Sequence, residues 1–233
     1  MSGRVGSITT AIIADGLVFN MDAANRACYP RTGTTVTDTT HNNIGTLSSI
    51  TFESTNNGVF NFDGVDDRID FGNASSRLIS TSPYTFSAWV KITDNNNIQT
   101  VLSTTNGSDS GYKLEINTGL AGYTNITFYN QSDTKRIKCD FSSYNSWQNI
   151  VVVRNGTSNN KIYVNTIPQT LTTNTENLAN PSSTFPLVIG AQYYTSYYRN
   201  LNGEIGNIQI YNRALSANEV LHNYNALKGR FGL

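Results

Sequence analysis

Apolar and polar residues alternate in short runs along most of this chain. The clearest run is Phe60-Asn61-Phe62-Asp63-Gly64-Val65-Asp66-Asp67-Arg68-Ile69-Asp70-Phe71-Gly72. Phe60 and Phe62, then Ile69 and Phe71, take every second place, which puts each pair on one face of a strand. Asp63-Gly64 between them supplies the positive φ of a tight reversal. The expected local structure is a β-hairpin with one apolar and one wet face; two separate edge strands are the alternative.

The same alternation predicts a first strand carrying Leu17, Phe19 and Met21, and a later one in which Phe86, Ala88, Val90 and Ile92 oppose Ser87, Trp89 and Lys91. Further short strands are expected over 100–104, 112–117, 126–129, 136–141, 147–154, 161–165 and 187–190, with turn signals such as Asn155-Gly156 between them. That rhythm is the rhythm of a sandwich or barrel, not of βαβ units. Ile205 is out of phase with Ile208 and Ile210 by one residue, so a β-bulge is expected near Gly206-Asn207. Segments 29–33 and 38–47 have loop composition, and 170–180 is expected to be a long loop.

One helix is expected, over 216–229. Ser216 and Glu219 have the spacing of a capping box, and Leu215 and Val220 that of a hydrophobic staple. Val220, Leu221, Tyr224 and Leu227 would form its apolar face, Gly229 its stop, and 230–233 a tail. Residues 1–15 are expected to be an N-terminal arm, with one domain over 16–233.

Composition narrows the function. A chain of 233 residues can bury a full core without staples. Sixteen basic residues balance sixteen acidic ones, so the basic stripe a nucleic-acid partner requires is missing. No apolar run is long enough to cross a membrane, and residues 1–10 lack the apolar core of a signal peptide. Synthesis in a cytoplasm is the expectation. Cys28 and Cys139 fit no metal or redox spacing; reduced thiols are expected, with a disulfide as the alternative.

Catalytic chemistry has little to stand on. Glycoside hydrolysis needs paired carboxylates, yet none of Glu53, Glu115, Glu176, Glu204 and Glu219 has a second acid two residues away. Glu115 has Asn117 there, and an amide is neither acid nor nucleophile. No Gly-flanked serine suggests a nucleophile elbow. No enzyme is expected. Asp63, Asp66 and Asp67 are hard oxygen ligands placed close together; the alternative is that Asp63 and Asp66 bond to turn amides while Asp67 pairs with Arg68 or an arginine on a neighbouring loop. Tyr193, Tyr194, Tyr197 and Tyr198 with Arg199 offer flat faces with polar tips. They suit a protein interface, sugar stacking, or simple cover for a sheet edge.

The segment FDGVDDRIDFG resembles the signature of laminin-G-like, concanavalin A-like jelly-roll domains. Leu17–Asn25, Tyr84–Lys91 and Gly203–Ser216 resemble the family in order and spacing. The wording MDAANRACYP and ALSANEVLHNYNALKGRFGL is similar to versions found as stand-alone structural proteins of tailed bacteriophages. The resemblance implies an all-β, two-sheet antiparallel jelly-roll sandwich with one short C-terminal helix. It implies a non-enzymatic virion protein, in capsid decoration or the tail, whose partners are other virion proteins and its own copies. A homo-oligomer with 1–15 and 193–199 at the contacts is then expected. The alternative function is a carbohydrate-binding module recognising host surface glycans. The family often holds structural calcium, for which Asp63, Asp66 and Asp67 are the candidates, although the acidic residue many relatives carry near Gly206 is missing here.

Overall fold

The computed structural model describes residues 11–72, 83–93, 97–104, 111–117, 124–130, 132–156, 159–174, 186–193 and 196–233. The strands in chain order are β1 (Leu17–Asp22), β2 (Thr35–Thr37), β3 (Ile44–Ser48), β4 (Thr51–Glu53), β5 (Val59–Asp63), β6 (Arg68–Asp70) and β7 (Tyr84–Ile92). Then follow β8 (Gln99–Ser103), β9 (Tyr112–Ile116), β10 (Asn125–Asn130), β11 (Ser132–Asp140), β12 (Trp147–Arg154) and β13 (Lys161–Val164). The last are β14 (Ile167–Pro168), β15 (Leu171–Asn174), β16 (Val188–Ile189), β17 (Gln192–Tyr193), β18 (Tyr197–Tyr198) and β19 (Asn202–Tyr211), before helix α1 (Ala217–Leu227).

Two antiparallel sheets face each other. The first runs β14-β13-β12-β7-β19-β5-β4, with β1 also paired to β19; the second runs β15-β11-β10-β9-β8-β16-β6-β3-β2. Phe19, Phe60, Phe62, Phe86, Val90, Ile150 and Ile208 meet Ile69, Leu102, Leu114, Ile126, Phe128 and Ile189 in one buried core. This is the two-sheet antiparallel jelly roll with a C-terminal helix that the family resemblance implies, and the sandwich that the strand rhythm allows.

The expected hairpin at 60–71 does not form. β5 pairs with β4 and β19 in the first sheet, whereas β6 pairs with β3 and β16 in the second. Residues 64–67 carry the chain across the sandwich, so the two apolar pairs enter the core from opposite sides. Period and turn chemistry specify a reversal; they do not specify which edge the second strand joins. Segment 38–47 likewise ends in β3, and 171–174 forms the edge strand β15, while 175–180 lie outside the described residues. The bulge is present, between Ile205 and Asn207 in the β19–β7 pairing. Gly206 is required there, since a Cβ would fall 2.6 Å from the Phe231 ring.

The outer face of the first sheet is closed by the chain's last turns. The capping box of Ser216 and Glu219 forms, and α1 passes into a 3-10 turn over Lys228–Phe231. Trp89 stacks on Tyr224 at 5.4 Å and on Phe231 at 4.4 Å, and Trp147 lies 4.5 Å from Phe231. Arg230 donates to Asp22 Oδ1 at 2.7 Å and to the Asn56 carbonyl at 2.6 Å. Residues 230–231 are therefore a lock and not a tail, because two outward tryptophans need covering. Gly232, not Gly229, takes the left-handed conformation that ends the turn. Leu221 is exposed and Asn223 is buried in its place, donating to Tyr211 Oη at 2.9 Å and accepting from Ile13 N at 2.8 Å. The described end of the N-terminal arm thus docks on the chain's own helix; residues 1–10 lie outside the described residues.

Cys28 and Cys139 are both buried free thiols, and burial pushes each up to about 12. Among the described residues no helix is long and apolar enough to cross a membrane.

Candidate functional site

Residues that alternate with the core positions point out of the second sheet, and the register sorts them into rows. Thr100, Glu115, Thr127 and Lys138 lie side by side across β8, β9, β10 and β11. Ser103, Lys113, Tyr129 and Arg136 form the next row. Core strands thus carry a polar outer face, and Glu115 at its centre is fully buried.

Glu115 is held from one side. Its Oε1 accepts from Arg199 Nη1 at 2.7 Å and lies 3.6 Å from Lys113 Nζ. Its Oε2, with Thr100 Oγ1 and Gln192 Nε2, is buried and lacks a hydrogen-bond partner among the described residues. Arg199 also donates to Gln192 Oε1 at 3.1 Å. This anchors the tyrosine segment, which is a small hairpin and not an open loop: β17 pairs with β18 through Gln192–Tyr198 and Tyr193–Tyr197. The Tyr193 and Tyr197 rings sit 5.1 Å apart. Tyr198 is half-buried with the Arg199 guanidinium 5.2 Å from its ring. Tyr194 lies outside the described residues.

The hairpin delivers Tyr197 to the outer face of β6. Its Oη donates to Asp70 Oδ2 at 2.7 Å, and the Arg68 guanidinium lies over its ring at 3.9 Å. Burial, and then the bond to Asp70, hold its phenol above the ordinary range. Beside this trio an open groove of about 410 Å³ is lined by Ile44, Thr46, Ser48, Arg68, Asp70 and Phe71. Thr46 pairs with Asp70 and Ser48 with Arg68 in register, so side-by-side residues of β3 and β6 line it together. Arg68 and Asp70 are outward neighbours of the core residue Ile69, a pattern visible in the sequence; β3 and Tyr197, from distant segments, are not.

Just before Arg68 in the chain is the acidic turn. Asp63, Asp66 and Asp67 each bring a carboxylate oxygen within 4.8 Å of the others. Asp63 Oδ1 accepts from Val65 N, Asp67 Oδ2 from Asp63 N, and Asp66 Oδ2 from Ser49 Oγ, at 2.8, 2.8 and 3.2 Å. Arg68 does not close the turn as a carboxylate partner; it donates to the Asp66 carbonyl at 3.0 Å. Asp67 Oδ1 is buried without a partner among the described residues. Burial pushes the Asp67 carboxyl up, a backbone bond from Asp63 opposes this, and the charges of Asp63 and Asp66 add to the rise. A bare buried oxygen beside two exposed carboxylates fits a hard cation.

The fold is shared with several solved structures. Domain 4 of AbnA, a GH43 extracellular arabinanase from Geobacillus stearothermophilus, in complex with arabinotriose, is similar at a TM-score of 0.67 and 15% identity, over 91% of this chain and 98% of that one. The binding domain of Paraclostridial Mosquitocidal Protein 1 is similar at 0.67 and 16%, over 91% of this chain and 52% of that one. Trypanosoma rangeli sialidase in complex with sialic acid gives 0.65 and 13%, over 94% and 34%. At such identities the likeness is one of fold. No curated protein matches in sequence. Residues 63–221 match the family model described as the concanavalin A-like lectin/glucanases superfamily, and the chain belongs to that superfamily.

Proposed function

We propose that this protein is a non-catalytic carbohydrate-binding module that takes surface glycans in the β3–β6 groove. The observation that carries the reading is the trio at the groove: a carboxylate, Asp70, and a guanidinium, Arg68, meet on one tyrosine, Tyr197, beside an open cleft. Adjacent sugar hydroxyls both donate and accept, so a fixed acceptor next to a fixed donor reads a diol. The aromatic hairpin gives the sugar's C–H face a rigid apolar neighbour. Support comes from the fold neighbours, one solved with arabinotriose and another with sialic acid. Catalysis is not part of the reading, because Glu115, fully buried, is engaged by Arg199 and Lys113 and does not line the groove.

A glycan array with the purified chain tests this. The wild type should bind a defined set of glycans, and Tyr197→Ala and Asp70→Ala should each lose at least about tenfold in affinity. Tyr197→Phe, which keeps the ring and removes the bond to Asp70, should lose less. Binding to no glycan would sink the proposal. Calcium at Asp63, Asp66 and Asp67 is the companion proposal; added calcium should raise Tm, and Asp67→Asn should abolish the rise.

A structural role in a bacteriophage particle, with self-association, is the second reading. It rests on the wording of the two end segments. Those segments have a packing explanation here, since Asp22 in one accepts from Arg230 in the other and Phe231 covers Trp89. Mass spectrometry of purified particles tests this role, and the two readings are compatible in an adhesive virion protein.

A further inference from the structure

We infer that a second saccharide site lies at the mouth of the sandwich, between the end of β11 and the start of β12. It does not depend on the β3–β6 groove and shares no residue with it. A cleft of about 420 Å³ is lined there by the end of β11 and the turn after it, by β12 and by the β13–β14 turn. The observation that carries the inference is a break in the chain's own pattern. Gln148 shares its face of β12 with the core residues Ile150 and Val152, and it is only 6% exposed. Apolar residues hold the matching inward places nearby: Phe141 follows Ile137 and Cys139 at two-residue spacing, and Val164 follows Ile162. All three of Phe141, Gln148 and Val164 line the cleft. An amide set into an apolar row where that row opens to a cleft is the kind of local rule-breaking expected at a functional site.

The amides of the cleft are already fixed. Gln148 Oε1 accepts from Asn165 Nδ2 at 2.7 Å, and Gln148 Nε2 donates to Ser146 Oγ at 2.9 Å. Asn165 Oδ1 accepts from Asn149 N at 2.8 Å, and Gln169 Nε2 donates to the Ile167 carbonyl at 2.9 Å. An amide nitrogen carries two N–H donors, so Gln148, Asn165 and Gln169 each keep one uncommitted among the described residues. Their ordering is done in folding, and a ligand that meets them does not have to supply it. The lining also names the ligand class. Asp140 is its one ionisable residue, so no lining cation calls for an anion. Neutral donors and acceptors lie beside Ile167, which is 64% exposed, and a sugar brings hydroxyls and a C–H face to match both. A peptide added as a strand fits less well, because the edge here is the two-residue β14, and its Pro168 has no N–H to donate. Five strand steps separate β6 from β11, about 24 Å at about 4.8 Å each, so the groove and this cleft can engage one glycan-bearing surface together.

The test reads side-chain amide signals in nitrogen–proton correlation spectra of the full chain, titrated with glucose, galactose, mannose and N-acetylglucosamine. At least one of these sugars should shift the Gln148, Asn165 and Gln169 side-chain amides along a saturable curve. Ile167→Ala with Gln169→Ala changes only an exposed and a half-buried side chain, and should weaken that curve at least about fivefold. The same pair should leave untouched any titration seen at the groove residues Thr46 and Asp70. Tyr197→Ala should do the reverse, sparing the cleft. No saturable shift at the three amides with any of the four sugars would overturn the inference, and so would a curve that the paired substitution leaves unchanged. Shifts confined to the groove would overturn this second site and keep the groove reading, whereas shifts confined to the cleft would keep this site and count against the groove.

Discussion

Asp38 and Glu115 are both carboxylates with no exposed surface, and the chain satisfies them in opposite ways. Asp38 sits where the loop before β3 crosses β1. Its Oδ1 accepts from Asn20 N, Thr40 N and Thr40 Oγ1 at 2.8, 3.0 and 2.6 Å, and its Oδ2 from His41 N and Asn43 Nδ2 at 3.1 and 2.8 Å. Every donor is neutral, four of the five are local, and no oxygen is left over. Glu115 instead takes two cations on one oxygen, one of them 84 residues away, and has nothing on the other among the described residues. A buried acceptor saturated by loop amides is architecture. A buried acceptor half-closed by a distant arginine is a tether, and here it ties the tyrosine hairpin to the sheet.

The largest effect should follow from emptying the closed site. Asp38→Ala leaves three backbone N–H groups, a hydroxyl and an amide without their acceptor in a buried loop, at a cost of about 3–5 kcal/mol. Urea unfolding should show it as a lower midpoint at unchanged slope. Glycan affinity of the folded fraction should not move, since the clasp touches neither hairpin nor groove. A loss under about 1 kcal/mol would mean that water replaces the carboxylate and that the closed site is less closed than its geometry.

Glu115→Gln should cost less, about 1–3 kcal/mol, because an amide still accepts on one side. Its signature is coupling. A double-mutant cycle with Arg199→Gln should give an interaction of about 2 kcal/mol, and either single change should weaken glycan binding by loosening the hairpin that holds Tyr197. Additive losses, with glycan binding intact, would show that the hairpin stands without its tether.

The contrast also explains what the sequence could and could not reveal. Asp38 lies within five residues of four of its five donors, so loop chemistry was legible at 38–43 even though the strand after it was not. The capping box and the bulge at Gly206 were legible for the same reason, since each is decided by neighbours in sequence. Glu115 and Arg199 were each visible, as a lone glutamate and as the end of a tyrosine run, but their meeting depends on strand order. So does the groove, whose lining strands β3 and β6 pair only because residues 64–67 cross between sheets. Leu221 was misplaced because helical period alone did not foresee that Asn223 would be needed inside, to bond Ile13 and Tyr211.

A third carboxylate extends the comparison to the surface. Arg213 above all, then the Ser216 amide, hold the Glu219 carboxyl down to about 2 from an ordinary 4.5. A depressed folded value means that the stabilisation is fully present above the ordinary carboxylate range and is lost as pH falls toward about 2. Solvent screening at this outer site limits it to about 1 kcal/mol. Glu219→Gln should therefore be less stable than wild type at pH 6, with the two curves converging between about 4.5 and 2. A difference that persisted below that window would assign the effect to the cap's shape and not to its charge.

The smallest effect tests whether the open half of the Glu115 site is idle. Thr100 sits directly opposite Glu115 in the β8–β9 register, and its Oγ1 is buried with no partner among the described residues. Valine has nearly the same shape and, being β-branched, suits a strand equally well. If the hydroxyl bonds to nothing, Thr100→Val removes a desolvated polar group at no cost and should be neutral or stabilising by up to about 1 kcal/mol. If an ordered water bridges Thr100 to the bare Glu115 Oε2, the same change strips that water of a partner and should destabilise by about 1 kcal/mol. The geometry favours the first outcome only if Oε2 is truly bare, and a buried carboxylate oxygen rarely is. Loss of stability in Thr100→Val that disappears in a Glu115→Gln background would place that water between the two side chains. Unchanged stability in both backgrounds would leave Arg199 and Lys113 as everything that holds this carboxylate inside the protein.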